Sequence, residues 1–485
     1  MTLRNLIALW CLCAAAPVYS QVLPDTLSLD EFIALAAERS LDKYQTDADL
    51  ELAELDYRLF RTDLKPQLLA TANFPNYQRT VREITQPNGT IRFQPVRNNN
   101  SVLGLNLTQQ IPQTGGTLFV RSDLQRFDDF ESNERFYNGI PLRVGLFQPL
   151  FGFNSLKWDK EIEPIRLSEA RKQYRADRAA IRSEATRLYF NLLNARTEVS
   201  IAEANRQSNQ ELYEIARERH ELGKISDSDL IQLRVNLVSA QRSEQNARQI
   251  LRNRSAEMIS YLGLVPNGQI LITKIPSETP TFSVDTDRAL QEAIANRAET
   301  ERFQRQILEA ERSVAQAKGE GGFQADLSAS IGFTRSAQDL EMIYTDPQQE
   351  QLVQIQLSVP IMDWGRQRSR VDIQEARRDL TRQRVRQNEL EFRTDVRQTV
   401  QQFVNLQQEV ELARELNELA QQRFDIARES YRLGAINVTD LIFSQQEKDL
   451  AQRTYIFALG DYWQAFYRLQ LLTLYDFENQ QPIVD

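Results

Sequence analysis

Four long stretches of the chain carry apolar residues at alternating spacings of three and four positions. In the first, the spacing is set by residues such as Ala185, Leu188, Leu192, Ala195 and Val199. The others cover residues 230–261, 392–413 and 441–472. This spacing puts the apolar side chains on one helix face and is typical of a coiled-coil seam. The first helix is predicted over about 156–222. It would be about 100 Å long, which no compact globular domain needs.

Other segments alternate between apolar and polar residues with a period of two. Val353, Ile355, Leu357 and Val359 alternate with polar residues, and the same pattern recurs at 103–107, 142–146 and 327–333. Strands of about 9–11 residues with one apolar face are the signature of a membrane β-barrel. Each strand taken alone also fits a half-buried strand of an ordinary soluble sheet.

Two segments of the chain are similar enough to indicate an internal duplication. Residues 216–231 read ARERHELGKISDSDLI and residues 427–442 read ARESYRLGAINVTDLI, with nine of sixteen positions identical. Pro149 and Pro360 are 211 positions apart, as are Gly223 and Gly434, so the arm from proline to glycine spans 74 positions in each copy. Equal arms predict two helical hairpins whose ends lie at one level.

The duplication predicts the domain organisation. We expect a first repeat over 21–263, a linker over 264–286, a second repeat over 287–475 and a polar tail over 476–485. Within each repeat the predicted order is helix, strand hairpin, long helix, turn, long helix. The first repeat holds additional residues, which we interpret as a polar loop (85–100) and a candidate strand hairpin (102–111 with 117–124).

Residues 1–20 have the pattern of a secretory signal peptide, with Arg4 before an apolar run and Ser20 at the expected cleavage site. Both cysteines, Cys11 and Cys13, lie in this segment, so we expect a mature chain without disulfides. The net charge of −9 argues against nucleic acid as a partner. With His220 as its one histidine, the chain offers no catalytic residues to assign, and we expect no enzyme, no metal and no other cofactor.

The residues of the two repeated turns have specific structural uses. Gly223 and Gly434 suit a helix end with positive φ, and Ser226 and Asn437 suit the N-cap of the returning helix. Asp229 and Asp440 fall in its first turn, where a carboxylate is favoured. Good turn chemistry alone explains these residues. A partner surface would also explain the apolar residues beside them, which are Leu222, Ile225, Leu433 and Ile436.

These turns, the signal peptide and two strand-to-helix junctions resemble the TolC-like outer-membrane efflux protein family. The junctions read Pro-Leu-Phe-Gly-Phe-Asn at 149–154 and Pro-Ile-Met-Asp-Trp-Gly-Arg at 360–366, so Pro149 and Pro360 mark them. The resemblance implies a mainly α fold with β, in which duplicated helical hairpins form a long periplasmic α-barrel. A transmembrane β-barrel is shared between three subunits, four strands from each, in the outer membrane of a Gram-negative bacterium.

The resemblance also implies a function and partners. The channel would be a passive exit duct for efflux or secretion, surrounded by outer-membrane lipid and working with an inner-membrane pump. A periplasmic adaptor would dock at the turns, contacting Leu222, Gly223, Ile225, Ser226, Leu433, Gly434, Ile436 and Asn437. Asp229 and Asp440 would lie near the aperture or gate.

The chain differs from the family in one respect, and its sequence also leaves one alternative function open. The additional hairpin of the first repeat would give six strands per subunit, and we favour four in the membrane with the hairpin outside. The alternative function is a periplasmic coiled-coil scaffold without a pore, for which the two-faced strands would have no use.

Overall fold

The computed structural model describes residues 26–276, 279–433 and 435–483. The predicted signal peptide, residues 1–20, and Gly434 of the second turn lie outside the described residues. In the described ranges the helices are α1 (Leu29–Arg39), α2 (Leu41–Asp63), α3 (Ser155–Glu221), α4 (Asp227–Tyr261), α5 (Thr286–Asn296), α6 (Glu299–Glu320), α7 (Met342–Thr345), α8 (Arg366–Arg432) and α9 (Val438–Thr473). The strands are β1 (Thr26–Leu27), β2 (Gln67–Asn73), β3 (Tyr77–Thr85), β4 (Ile91–Ile111), β5 (Gly116–Asp129), β6 (Glu134–Pro149), β7 (Ile272–Thr273), β8 (Gln324–Ala337), β9 (Gln348–Ser358), β10 (Tyr475–Asp476) and β11 (Gln481–Pro482).

The two longest helices have the same length. Helices α3 and α8 each contain 67 residues, and each begins six positions after its junction proline, since 155 − 149 and 366 − 360 both equal 6. The helix predicted over 156–222 is therefore confirmed to within one residue at each end. Its predicted seam is also confirmed, because Ala185, Leu188 and Leu192 are buried.

The chain divides into two compact units. The first consists of the described residues of Met1–Tyr44, Arg178–Ser283 and Gln401–Leu471. Its core includes an aromatic cluster in which the Phe403 ring lies 5.2 Å from Phe282, 5.5 Å from Tyr462 and 6.2 Å from Phe466. Aromatic rings at these separations contribute contact energy beyond the area they bury. Phe282 belongs to the segment predicted as a linker, and its ring packs against α8 and α9.

The buried hydroxyl of Tyr189 ties helix α3 to the short parallel pair of β1 and β7 in the first unit. It donates to the carbonyl oxygens of Leu27 at 3.1 Å and Lys274 at 2.5 Å. Burial raises the pKa of this phenol, and the hydrogen bond to Lys274 opposes the rise only in part. A buried hydroxyl needs such partners, so the side chain fixes both strands against the helix.

The second unit consists of Gln45–Asp177, Val284–Val400 and the described residues of Leu472–Asp485. Ion pairs join its helices α3 and α6. Glu169 of α3 accepts from Arg302 at 3.0 Å and from Arg305 at 2.6 Å. Lys172 pairs with Glu301 at 2.8 Å. Pairing of this kind specifies which helix faces meet.

The second unit contains a seven-stranded antiparallel sheet and the short antiparallel pair β10–β11. In the seven-stranded sheet, neighbouring strands run antiparallel throughout. Its strand order is β2-β4-β5-β6-β8-β9, and β3 pairs with β4 beyond the end of β2. Strands β2 and β3 both pair with β4, one after the other along its length, so together they fill a single strand position at the edge of the sheet. We call each strand position a column, and the sheet has six columns in chain order. Neighbouring columns follow one another in chain order, and helices α3 to α6 are inserted between β6 and β8.

Two expectations about the first repeat need correction. Residues 85–100, interpreted as a polar loop, largely form strand: β3 ends at Thr85, β4 begins at Ile91, and the turn between them is closed by Gln86 N donating to Thr90 O at 2.8 Å. The candidate hairpin 102–111 with 117–124 is confirmed as part of the β4–β5 pair. It does not lie outside the sheet, so the expectation of four strands is wrong for the sheet, because β4 and β5 are paired on both sides.

Candidate functional site

The first repeated turn, between α3 and α4, has a helix end of the Schellman type. Gly223 has φ of 68°, its N–H donates to His220 O at 2.8 Å, and Lys224 N donates to Arg219 O at 2.9 Å. These two bonds satisfy carbonyls that the end of α3 would leave unpaired. Only glycine adopts this φ without steric cost, so the turn depends on Gly223 for its shape.

The returning helix α4 begins with a capping box. Ser226 Oγ accepts from Asp229 N at 3.2 Å, and the Asp229 carboxylate accepts from Ser226 N at 3.3 Å and from Ser226 Oγ at 2.7 Å. The carboxylate also lies at the positive end of the helix dipole. The chemistry predicted for Ser226 and Asp229 is therefore present, and the aspartate is used locally.

The second turn, between α8 and α9, repeats this arrangement in its described residues. Ala435 N donates to Ser430 O at 2.9 Å, which matches the Lys224–Arg219 bond 211 positions earlier. Asn437 Oδ1 accepts from Asp440 N at 2.9 Å and so caps α9. Here the cap is an amide, and the Asp440 carboxylate is exposed.

Apolar side chains stand at both turns. Leu222 is 68% exposed and Leu433 is 77% exposed, whereas Ile225 and Ile436 are half-buried. Gly223, Ser226 and Asn437 are exposed beside them. Single exposed leucines are common on protein surfaces. Their recurrence at equivalent positions of both copies makes a shared surface the more specific explanation.

Sequence reasoning missed one contact at the first turn. His220 Nε2 lies 2.7 Å from Asp227 Oδ1, so the histidine at the end of α3 contacts the first residue of α4. The seven-residue separation across a turn gave no signal for this pair.

The two strand-to-helix junctions are closed by side chains that follow the prolines. Pro149 is the last residue of β6, and Asn154 Oδ1 accepts from Lys157 N at 3.2 Å at the start of α3. Pro360 follows β9, and the Asp363 carboxylate accepts from Gly365 N at 3.0 Å and from Gln367 N at 2.9 Å. These backbone hydrogen bonds hold the pKa of Asp363 below its usual range.

The sheet has one apolar face and one polar face. Hydrogen-bonded neighbours in one row are Leu68, Leu107, Val120, Val144 and Ile331. The next row, on the opposite face, begins at Leu69 and continues through Asn106, Arg121, Arg143, Gly332 and Glu350. The apolar row ends at Gln351 of β9, and within it Val120 and Val144 are half-buried while the other apolar residues are exposed. A largely apolar face of this kind suits contact with lipid.

Among the described residues no cluster of histidine, cysteine, aspartate and glutamate side chains has the geometry to hold a metal ion. Within the same ranges, no helix is both long enough and apolar enough to cross a membrane.

The fold and its two faces are those of a channel component. The model of the outer membrane efflux protein family matches residues 32–264 and 289–473. The chain belongs to this family, which confirms the resemblance, the predicted location in the outer membrane and the general role in transport. A comparison of this sequence with curated proteins found no match.

Solved structures share this fold at low sequence identity. The CmeC outer membrane channel of Campylobacter jejuni is 16% identical, with a TM-score of 0.67 over 94% of this chain and 87% of that one. The open state of the MtrE outer membrane channel of Neisseria gonorrhoeae is 14% identical, with a TM-score of 0.60 over 92% and 88%. The outer membrane protein VceC of Vibrio cholerae is 15% identical, with a TM-score of 0.58 over 92% and 95%.

Proposed function

We propose that the chain forms, as a homotrimer, an outer-membrane exit duct for efflux or secretion. The duct is passive and is opened at its periplasmic end when an adaptor from an inner-membrane pump docks at the two turns. The observation that carries this proposal is the equivalent presentation of Leu222 and Leu433 at ends of two equal 67-residue helices. Membership of the efflux family and the two-faced sheet support the duct over a scaffold without a pore.

Each group of turn residues has a part in this proposal. The exposed leucines and half-buried isoleucines supply the apolar surface of the docking site. Gly223 sets the shape of the first turn, and the caps Ser226 and Asn437 begin the returning helices. Gly434 is the counterpart of Gly223 in the sequence. Asp229 and Asp440 would gather at the aperture when three copies assemble, where carboxylates favour cations. Pro149 and Pro360 end the strands where the helices begin.

The docking site is tested by charging both leucines. The double variant Leu222→Asp, Leu433→Asp should lose export, because each carboxylate would have to be desolvated against the apolar surface of the adaptor. Its oligomer should still be recovered from outer-membrane fractions, since both side chains are exposed. Val265→Asp is the matched control, because Val265 is an exposed apolar residue away from the turns. Undiminished export by the double variant would refute docking at these turns.

A further inference from the structure

The additional hairpin of the first repeat is part of the wall of the sheet. Strand β5 is paired with β4 over fourteen positions on one side and with β6 on the other. Its turn is fixed at the helix-bearing end, where Asn154 Nδ2 donates to Pro112 O at 2.8 Å and Gln148 Nε2 donates to Thr114 O at 2.9 Å. The turn of the hairpin therefore lies at the end of the sheet where helix α3 begins.

Both strands of the hairpin carry the same two faces as the rest of the sheet. On β4, Leu103, Leu105 and Leu107 are exposed, and Leu105 and Leu107 are paired with Ala70 and Leu68 of β2. On the other side, Leu103 and Leu107 are paired with Leu124 and Val120 of β5, so the apolar face continues across the hairpin, with Ser122 opposite Leu105 as a polar position. A hairpin folded into the lumen or away from the membrane would have no reason to continue it.

The polar face is closely packed at the hairpin. Arg121 pairs with Asp123 on β5, and Arg143 of β6 pairs with Glu350 of β9. A Cβ at Gly104 of β4 would lie 2.6 Å from Asp123 Oδ1. Glycine at 104 therefore lets the aspartate lie flat across the neighbouring strand, as expected of a polar barrel wall.

We propose that each copy of this chain contributes six strands, so that three copies close an eighteen-stranded barrel. The number of copies rests on the proposed function, whereas the number of strands rests on the sheet. The outermost columns, β2 with β3 and β9, end the sheet and would meet the neighbouring copies. Barrel diameter grows with strand number, and barrels of about 16–18 strands leave an open aqueous channel.

The barrel size sets distances that can be measured. With strands about 4.8 Å apart and a tilt of about 40°, eighteen strands give a radius of about 18 Å and twelve give about 12 Å. Equivalent backbone positions in three copies would then be about 31 Å apart for eighteen strands and about 21 Å apart for twelve. A barrel of two copies with six strands each would give a single distance of about 24 Å.

Spin labels on Ser330→Cys test this size by pulsed electron resonance on the purified oligomer. Ser330 lies on β8, which belongs to the sheet with or without the hairpin, and its neighbours across the sheet are Gly145 and Leu352. Because both cysteines of the sequence lie in the predicted signal peptide, the label should be unique. The label projects from the polar face toward the channel axis, so its reach is first added back to the measured distance. We then expect a distance between backbone positions of about 31 Å. A distance near 21 Å or 24 Å would overturn the proposal.

Spin labels at further positions test whether the hairpin lies in the lipid-facing wall. A label on Val120→Cys of β5 should be reached by lipid-soluble oxygen more than by a water-soluble nickel chelate, as should the reference label on Ile331→Cys of β8. A label on Arg121→Cys should show the reverse preference. If Val120→Cys prefers the nickel chelate while Ile331→Cys prefers oxygen, the hairpin is outside the wall. Neither measurement depends on export. Both can therefore be interpreted even if the proposed docking of an adaptor is wrong.

Discussion

At the scale of single residues, the two turns depend on a small number of backbone requirements. Gly223 has positive φ, and an added Cβ there would meet no atom within 4 Å. Glycine is therefore required at this position for its backbone conformation, and not because a larger side chain would lack room. Ser226 and Asp229 then satisfy the first amides of α4 through their own side chains.

Replacing Gly223 tests this backbone requirement. Gly223→Val should destabilise the turn by about 1–2 kcal/mol, because a β-branched residue is strained at positive φ. Gly223→Asn should cost less, because asparagine tolerates the left-handed region. Limited proteolysis at the turn checks both variants, with valine cleaved faster than asparagine. Equal cleavage of the two variants would argue against a positive-φ requirement.

Tyr189 gives a second test at this scale. Tyr189→Phe should lower the stability of the first unit by about 1–3 kcal/mol, since it removes the hydroxyl that donates to Lys274 O and Leu27 O, although Leu27 O still accepts from Lys274 N. Thermal unfolding followed by circular dichroism measures the loss. Tyr44→Phe is the control, because Tyr44 is exposed. A variant at position 189 as stable as the control would contradict the assigned hydrogen bonds.

At the scale of elements, charge decides how α3 and α6 meet. Burial alone would raise the pKa of Glu169, but hydrogen bonds from Arg305 and Arg302 outweigh it and hold the pKa below its usual range. A carboxylate with a lowered pKa contributes stability above its unfolded-state pKa of about 4.3. That contribution is lost as the pH falls through the lower folded-state value.

Glu169→Gln should therefore destabilise the protein at neutral pH by about 1–3 kcal/mol. The difference in unfolding free energy between wild type and variant should narrow as the pH falls below the unfolded-state pKa of about 4.3, and it should level off once the folded-state carboxyl is also protonated. Denaturant unfolding at several pH values measures this difference. A difference that does not change with pH would show that the ion pairs do not carry this contribution.

The elements also show how far the sequence predicts the structure. The seam spacing predicted α3 well because its apolar residues are the ones that pack. The β3–β4 hairpin was missed because both strands are polar along much of their length and are held by backbone pairing. The Asn88-Gly89 turn, with Val81 on one side and Phe93 on the other, was the available signal. The His220–Asp227 contact had no comparable pattern.

At the scale of the whole molecule, the proposed function requires an aqueous path that begins at the two turns. The family establishes an outer-membrane efflux protein, and the proposal adds a duct whose entry is formed by the two turns. Its polar sheet face and its turns would then border one continuous aqueous path through three copies. Such a path predicts ion conductance that is sensitive to modification at the turns.

Single-channel conductance of the purified oligomer in planar lipid bilayers tests whether the protein forms a channel whose aqueous path is bordered by the turns. Because the adaptor that opens the periplasmic end is absent from this experiment, we expect discrete channels of low conductance that pass small ions only. A bulky, charged, water-soluble thiol reagent should lower the conductance of Ala435→Cys, a substitution in the second turn. The reagent should leave the conductance of Val265→Cys unchanged, because Val265 is exposed away from the turns. An assembled oligomer without conductance, or an Ala435→Cys channel that responds no more than Val265→Cys, would contradict the account.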